Sequence, residues 1–181
     1  MLDWDSMYIS GRDFGELPGS VIDRILSFDT SSAPRTALDI GCGTGATVRA
    51  LCARGYEALG IDSSGEAIRL AVSGGQGKFE VFNFENDDIS ELPEPFKVIV
   101  CKHVYAFITN KPAFLRKVSG LVSGDGLFAL ITPLKESVST EKQGIAVREQ
   151  ELLKELRTFF TIKYRESLKS GELLVLQPLG G

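Results

Sequence analysis

Ala37-Leu38-Asp39-Ile40-Gly41-Cys42-Gly43-Thr44-Gly45 decides the fold of this 181-residue chain. A short apolar strand runs straight into glycines at three alternate positions, and the residues beyond them have helical period. Glycine permits a tight strand-to-helix turn with the backbone close to a ligand, and the first turn of the following helix offers unpaired N–H groups and partial positive charge. A carboxylate or a phosphate is the natural occupant. A bare turn would leave the next feature unexplained. The second strand ends in Gly60-Ile61-Asp62-Ser63-Ser64, which puts an acid about 20 residues past the loop, where a ribose hydroxyl acceptor is needed. The alternative role for Asp62 is to open a turn and cap the next helix.

Outward from this stretch, apolar runs rich in Val, Ile, Phe and Leu alternate with amphipathic stretches, the pattern of βα units around a parallel sheet. Strands are expected at 36–40, 58–61, 79–82, 97–101 and 127–132, and helices at 20–28, 47–53, 65–72, 112–121 and 148–156. Pro112 suits a first helical turn. The end of the chain departs from the alternation. Two strand-like runs, 159–166 and 173–177, are joined by Leu168-Lys169-Ser170-Gly171-Glu172, which predicts an antiparallel hairpin. The expected fold class is therefore α/β, a single Rossmann-like doubly wound sheet, mostly parallel, with a C-terminal antiparallel hairpin whose reversed strand lies at one edge. The polar, aperiodic stretch 136–144 is expected to be a mobile loop near the C-terminal ends of the strands, where ligands bind in such sheets.

Composition sets the outer limits. A chain of this length predicts one domain, 1–181, with an N-terminal segment 1–34 ahead of an α/β core 35–181. A formal charge of −4 and 43% apolar residues argue against disorder and against a generally nucleic-acid-binding chain. The charge is uneven: residues 1–96 hold 7 basic and 16 acidic side chains (net −9), and residues 97–181 hold 13 and 8 (net +5). Such a dipole steers an anionic partner toward the C-terminal half, or is simply a solvated surface. Cys42, Cys52 and Cys101 are odd in number and share no C-x-x-C spacing, so neither a disulfide framework nor a metal site is expected. The start of the chain, acidic and without an apolar run, reads as cytoplasmic, and no stretch suits a membrane.

The glycine loop and its acid suit two cofactor classes. Gly41, Gly43 and Ala46 satisfy the G-x-G-x-x-A pattern of dinucleotide binding, which leaves NAD and an oxidoreductase open. The run from Leu38 to Gly45, with Asp62 ending the next strand, also resembles the first motifs of the class I S-adenosylmethionine-dependent methyltransferases, and the strand pattern and terminal hairpin extend that resemblance over about residues 35–178. The resemblance implies S-adenosylmethionine as cofactor and S-adenosylhomocysteine as product. It places Asp39, Gly41, Cys42, Gly43 and Gly45 along the cofactor, with Asp62 and Ser63 at its ribose. At the third strand end the family often carries an acid for the adenine amino group beside an apolar residue packed on the ring. The matching pair here is Asn83 and Phe84, with Asp88 as the alternative acid.

The fourth strand ends in Cys101-Lys102-His103-Val104-Tyr105, a position that faces cofactor and acceptor together in the resembling fold. His103, the single histidine, has a side-chain pKa suited to taking a proton from an acceptor, so it is the candidate catalytic residue; a packing role is the alternative. Lys102 is a candidate contact for the cofactor or for an anionic acceptor, and Tyr105 and Phe107 are candidate pocket walls. Trp4-Asp5-Ser6-Met7-Tyr8 resembles the W-D-x-x-Y opening of the thiopurine and tellurite-resistance methyltransferases, which makes Trp4 and Tyr8 lid residues or anchors of an N-terminal helix. Methyl transfer asks mainly for orientation and exclusion of water. No insertion large enough for a substrate domain is present, so a small-molecule acceptor is expected ahead of RNA or protein. A cofactor-binding protein without turnover is the third reading.

Overall fold

The computed structural model describes residues 3–12, 14–30, 35–93 and 95–180. Of the expected N-terminal segment, residues 1–2, 13 and 31–34 lie outside the described residues. Six helices and seven strands form among the rest, in the order α1 (Trp4–Ile9), α2 (Gly19–Leu26), β1 (Thr36–Ile40), α3 (Ala46–Cys52), β2 (Glu57–Asp62), α4 (Gly65–Ser73), β3 (Lys78–Val81), β4 (Phe96–Lys102), α5 (Lys111–Leu121), β5 (Val122–Thr132), α6 (Glu149–Leu156), β6 (Phe160–Leu168) and β7 (Gly171–Pro178). The strands make one sheet in the order β3-β2-β1-β4-β5-β7-β6. β1 through β5 pair in parallel, and β7 runs antiparallel to both β5 and β6.

Two apolar layers sandwich this sheet. On one face Leu38, Ile40, Ile99, Phe128 and Leu130 pack with Phe114, Leu115 and Val118 of α5 and Leu152 and Leu156 of α6. On the other, Ala37, Val98, Val100, Ala129 and Ile131 pack with Val21, Ile22 and Ile25 of α2 and Val48 and Leu51 of α3. Strands buried on both faces read as continuous apolar runs, which is why 36–40 and 97–101 were legible without alternation.

The hairpin is where expectation and structure part. The reversed strand is not at the edge: β7 sits between β5 and β6, and β6 is the outer strand. Burial explains it. Leu173-Leu174-Val175-Leu176 is apolar at every position and is 0–1% exposed, as an interior strand must be, whereas β6 alternates between partly buried and exposed residues, as an edge strand does. The expected mobile loop at 136–144 is largely built of two 3-10 helices, Lys135–Ser137 and Thr140–Ile145, joined by a Gln143 Nε2 bond to the Lys135 carbonyl at 2.8 Å. No described helix is long and apolar enough to cross a membrane.

Candidate cofactor site

The chain leaves β1 on one side toward β2 and β3 and returns on the other as β4, so the crevice at the C-terminal ends of β1 and β4 is the topological switch point, where open α/β sheets bind ligands. The glycine loop occupies it. Gly41, Gly43 and Gly45 have φ of +71°, +53° and +83°, values that favour glycine. Space forbids a side chain as strongly as the dihedral does: a β-carbon at Gly41 would overlap Val104 Cγ2, and one at Gly43 would stand 2.8 Å from the Tyr8 hydroxyl oxygen.

Backbone bonds hold the loop against the end of β2. Gly41 and Cys42 donate to the Ile61 carbonyl at 2.8 and 3.0 Å. Asp62, the last residue of β2 and 8% exposed, accepts from the Gly43 N–H through Oδ2 at 2.9 Å and from the Ser64 N–H through Oδ1 at 2.9 Å. Burial raises its pKa, against these N–H bonds and one from the Ser63 backbone that lower it. The acid and the loop predicted from sequence are thus joined directly. Ser63 itself is exposed at the rim.

Asp39 lies in β1 just before the loop, 3% exposed. Desolvation pushes its carboxyl up to about 7, with the Lys102 ammonium pulling down and the Asp62 carboxylate pushing up. Cys42 is buried beside Asp39 and its thiol is pushed well above the usual range by burial and by the two carboxylates, so it acts as a small apolar wall.

The third strand end is less open than expected. Asn83 Oδ1 accepts from the Glu85 and Asn86 N–H groups at 3.1 and 3.3 Å, closing its own turn, and its N–H donates to Asp87 at 2.7 Å. Phe84 does not present its ring to a ligand: the ring is 5% exposed, sits 5.1 Å edge-on to Phe114 and lies under the Lys117 ammonium, because the core face beneath α5 draws it inward. Asp88 is exposed and caps the 3-10 helix Ile89–Glu91 through the Ser90 N–H.

On the β4 side, His103 has φ +61°, the one described non-glycine residue with positive φ. Its N–H donates to the Ile131 carbonyl at 2.8 Å, while its buried Nε2 has no partner among the described residues. Burial first, and the Lys102 charge second, lower its pKa to about 4, so the imidazole is neutral at pH 7. Lys102 Nζ donates to the carbonyls of Phe14 and Gly15, holding the N-terminal segment over the strand ends.

That segment roofs the site. α1 places Tyr8, 8% exposed, above Gly43. Trp4 packs edge-on against Phe14 at 5.9 Å and Phe107 at 5.0 Å, and Tyr8 against Phe14 at 6.0 Å. Asp5, to which sequence reading gave no role, accepts from the Ser64 hydroxyl at 2.5 Å and the Glu66 N–H at 3.1 Å, tying the roof to the turn after Asp62. Its signal was present inside the W-D-x-x-Y stretch. Tyr105 is fully buried and donates to Glu155 Oε2 at 2.6 Å; it walls a cavity of about 240 Å³ bordered by the segment after β5 (135–148), by the first residue of α5 and by α6, with no glycine-loop residue in its lining.

Residues 12–170 match the family described as a methyltransferase domain. Among similar proteins, the ajmaline N-methyltransferase of Rauvolfia serpentina is 23% identical over 147 residues, 75% of this chain and 50% of that protein. A ubiquinone biosynthesis O-methyltransferase of Rickettsia felis is 25% identical over 131 residues, 71% of this chain and 53% of its own length. The chain thus spans about half the length of the curated relatives it matches. A TehB-like SAM-dependent methyltransferase from Corynebacterium glutamicum shares the fold with a TM-score of 0.71 at 21% identity, covering 97% of this chain and 94% of that one.

Proposed function

Since this chain belongs to the class I S-adenosylmethionine-dependent methyltransferases, we propose that it transfers the cofactor's methyl group to a small-molecule acceptor as a single domain, with α1 and Phe14 of the N-terminal segment acting as the lid and α2 as part of the core. Membership of that family sets aside the dinucleotide reading of Gly41, Gly43 and Ala46. The carrying observation is the Asp62 carboxylate bonded to the Gly43 N–H at the switch point, which brings ribose acid and glycine loop into one surface.

The residues suit the cofactor. A buried Asp39 with a carboxyl held near 7 matches an ammonium group, and the side-chain-free cradle at Gly41 and Gly43 admits a chain running close to the backbone. S-adenosylmethionine supplies a methyl already activated by a sulfonium. Asp62 and Ser63 then serve the ribose, and Asn83 serves the adenine from the end of β3, its Oδ1 accepting from the adenine amino group in addition to the N–H groups of its own turn. Tyr8, Trp4 and Phe14 exclude water, which favours transfer from a charged donor to a neutral product. Lys102 fixes that roof, and neutral His103, with an unpartnered Nε2, accepts a hydrogen bond from the acceptor, while burial that lowers its pKa to about 4 makes it a weak base for full proton removal. The named activities of the two plant and bacterial relatives support a small-molecule acceptor over RNA or protein. Three unpaired thiols support a reducing, cytoplasmic setting.

Thermal unfolding with S-adenosylmethionine, S-adenosylhomocysteine or NAD in large excess tests this. A ligand at about 100 times its dissociation constant stabilises by about 2.7 kcal/mol, a shift of roughly 5–10 °C for a chain of this size. The expected result is a shift with the first two and none with NAD. A shift with NAD alone overturns the proposal, and affinity without turnover on any acceptor would make the chain a cofactor-binding protein.

A further inference from the structure

The net positive charge of residues 97–181 is not spread evenly: part of it converges on the 240 Å³ cavity, whose lining includes neither the glycine loop nor Asp62. Lys111, Lys135 and Arg148 line it, together with Glu151 and Glu155 of α6. The acids have partners. Glu155 accepts the Tyr105 hydroxyl at 2.6 Å, and Glu151 Oε1 lies 3.8 Å from Arg148 Nε. Lys111 and Lys135 are both partly buried, and among the described residues neither pairs with a carboxylate. Lys111 Nζ donates to the Ile108 carbonyl at 2.8 Å and stands 5.6 Å from the Tyr105 ring centroid, which leaves N–H donors for a further acceptor. Ammonium groups drawn partly out of water gain from a charge-assisted bond to an anion.

The cavity also has the right address. Val104 packs against Gly41, Tyr105 and Ala106 line the cavity, and Phe107 stands on Trp4 of the roof. Four consecutive residues therefore touch the glycine loop, the cavity and the lid in turn.

We propose that this cavity recognises the methyl acceptor, and that the acceptor is a small molecule carrying a carboxylate or phosphate held by Lys111 and Lys135, its body extending along residues 104–107 toward the glycine loop. The inference names an acceptor class for the methyl-transfer reading and rests on it; the anion site itself stands on the cavity.

Amide chemical shifts of the ¹⁵N-labelled chain test it, with benzoate, phenyl phosphate and neutral benzamide titrated into protein saturated with S-adenosylhomocysteine. Saturable shifts at Tyr105, Ala106, Gly144 and Ala146 are expected with one or both anions and not with benzamide, and the responding anion tells carboxylate from phosphate. In a Lys111→Gln/Lys135→Gln variant the anion affinity should fall about tenfold or more while S-adenosylhomocysteine affinity is unchanged. An equal response to benzamide, shifts scattered over surface lysines, an unaffected variant, or no saturable shift at the limit of probe solubility overturns the proposal. Failure to bind S-adenosylhomocysteine with the anion response intact would instead count against the methyl-transfer reading alone.

Discussion

The two sides of the switch point are built from different materials. On the β1–β2 side the glycine loop is held through its own N–H groups and within the β1–β2 unit: Gly41 and Cys42 donate to the Ile61 carbonyl and Gly43 to the Asp62 carboxylate, all at the end of β2. On the β4–β5 side the geometry depends on side chains meeting from far apart in the chain, Tyr105 on Glu155, Lys102 on Phe14 and Gly15, Phe107 on Trp4. Loop donors that belong to the main chain are altered by few substitutions, so this side varies little except at Asp62. The β4–β5 side, a wall of exchangeable side chains, can change from one sequence to the next without disturbing the loop.

The sharpest way to break this contrast is Gly41→Ala. The new β-carbon meets both a left-handed backbone and Val104, so stability should drop by about 2–4 kcal/mol, read as a lower urea midpoint. An unchanged midpoint would show that the loop yields and is not a fixed cradle. Next is Asp62→Ala, which removes an acceptor of two N–H bonds. S-adenosylhomocysteine affinity should weaken by about 1.5–3 kcal/mol by calorimetry, and equal affinity in the folded variant would take Asp62 out of the site.

Asp39 gives a pH signature. Its carboxyl rises from 3.8 to about 7 on folding, so across that window the folded chain keeps a proton the unfolded chain has lost. Stability contributed by this group is present at acid pH and lost as pH rises, at up to about 1.4 kcal/mol per pH unit. Asp39→Asn abolishes the titration, so its stability relative to the parent should improve from pH 5 to pH 8 while its cofactor affinity falls. A constant difference between the two proteins at both pH values would contradict the buried-acid account.

The smallest effect is expected on the other side. Tyr105→Phe removes the hydroxyl bonded to Glu155 and should cost about 1 kcal/mol of stability, with S-adenosylhomocysteine affinity unaltered. Weakened cofactor binding in that variant would mean the two sides are coupled through residues 103–105, and the division drawn above would need to be replaced by one continuous site.

Legibility in the sequence follows the same line. Strands β1, β2 and β4 and the second half of β5, 127–132, are readable because buried parallel strands are rich in apolar residues, and the glycine loop because the required dihedrals restrict residue choice; β5 also begins earlier, at Val122, through the polar Ser123-Gly124-Asp125-Gly126, which carries no such signal. Asp62 was found because spacing along a βαβ unit fixes where its strand ends. Phe84 was misplaced as a ring for adenine because the three-dimensional neighbour that claims it, Phe114, is thirty residues away. The Lys102 clasp has no local signal, because its partners are Phe14 and Gly15; Asp5 stands inside the W-D-x-x-Y stretch, but only its distant partners, Ser64 and Glu66, give it a role.

By itself the sequence determined the α/β class, the glycine cradle and its acid, since each follows from local periodicity, backbone sterics or short spacing. Only the tertiary structure decided that β7 lies inside the sheet with β6 as its edge, that the N-terminal helix roofs Gly43, and that Lys111 at the start of α5 and Lys135 after β5 border one cavity with Tyr105. Those outcomes rest on which buried surfaces meet after the chain has folded back on itself, a competition for burial among distant segments that no local pattern encodes.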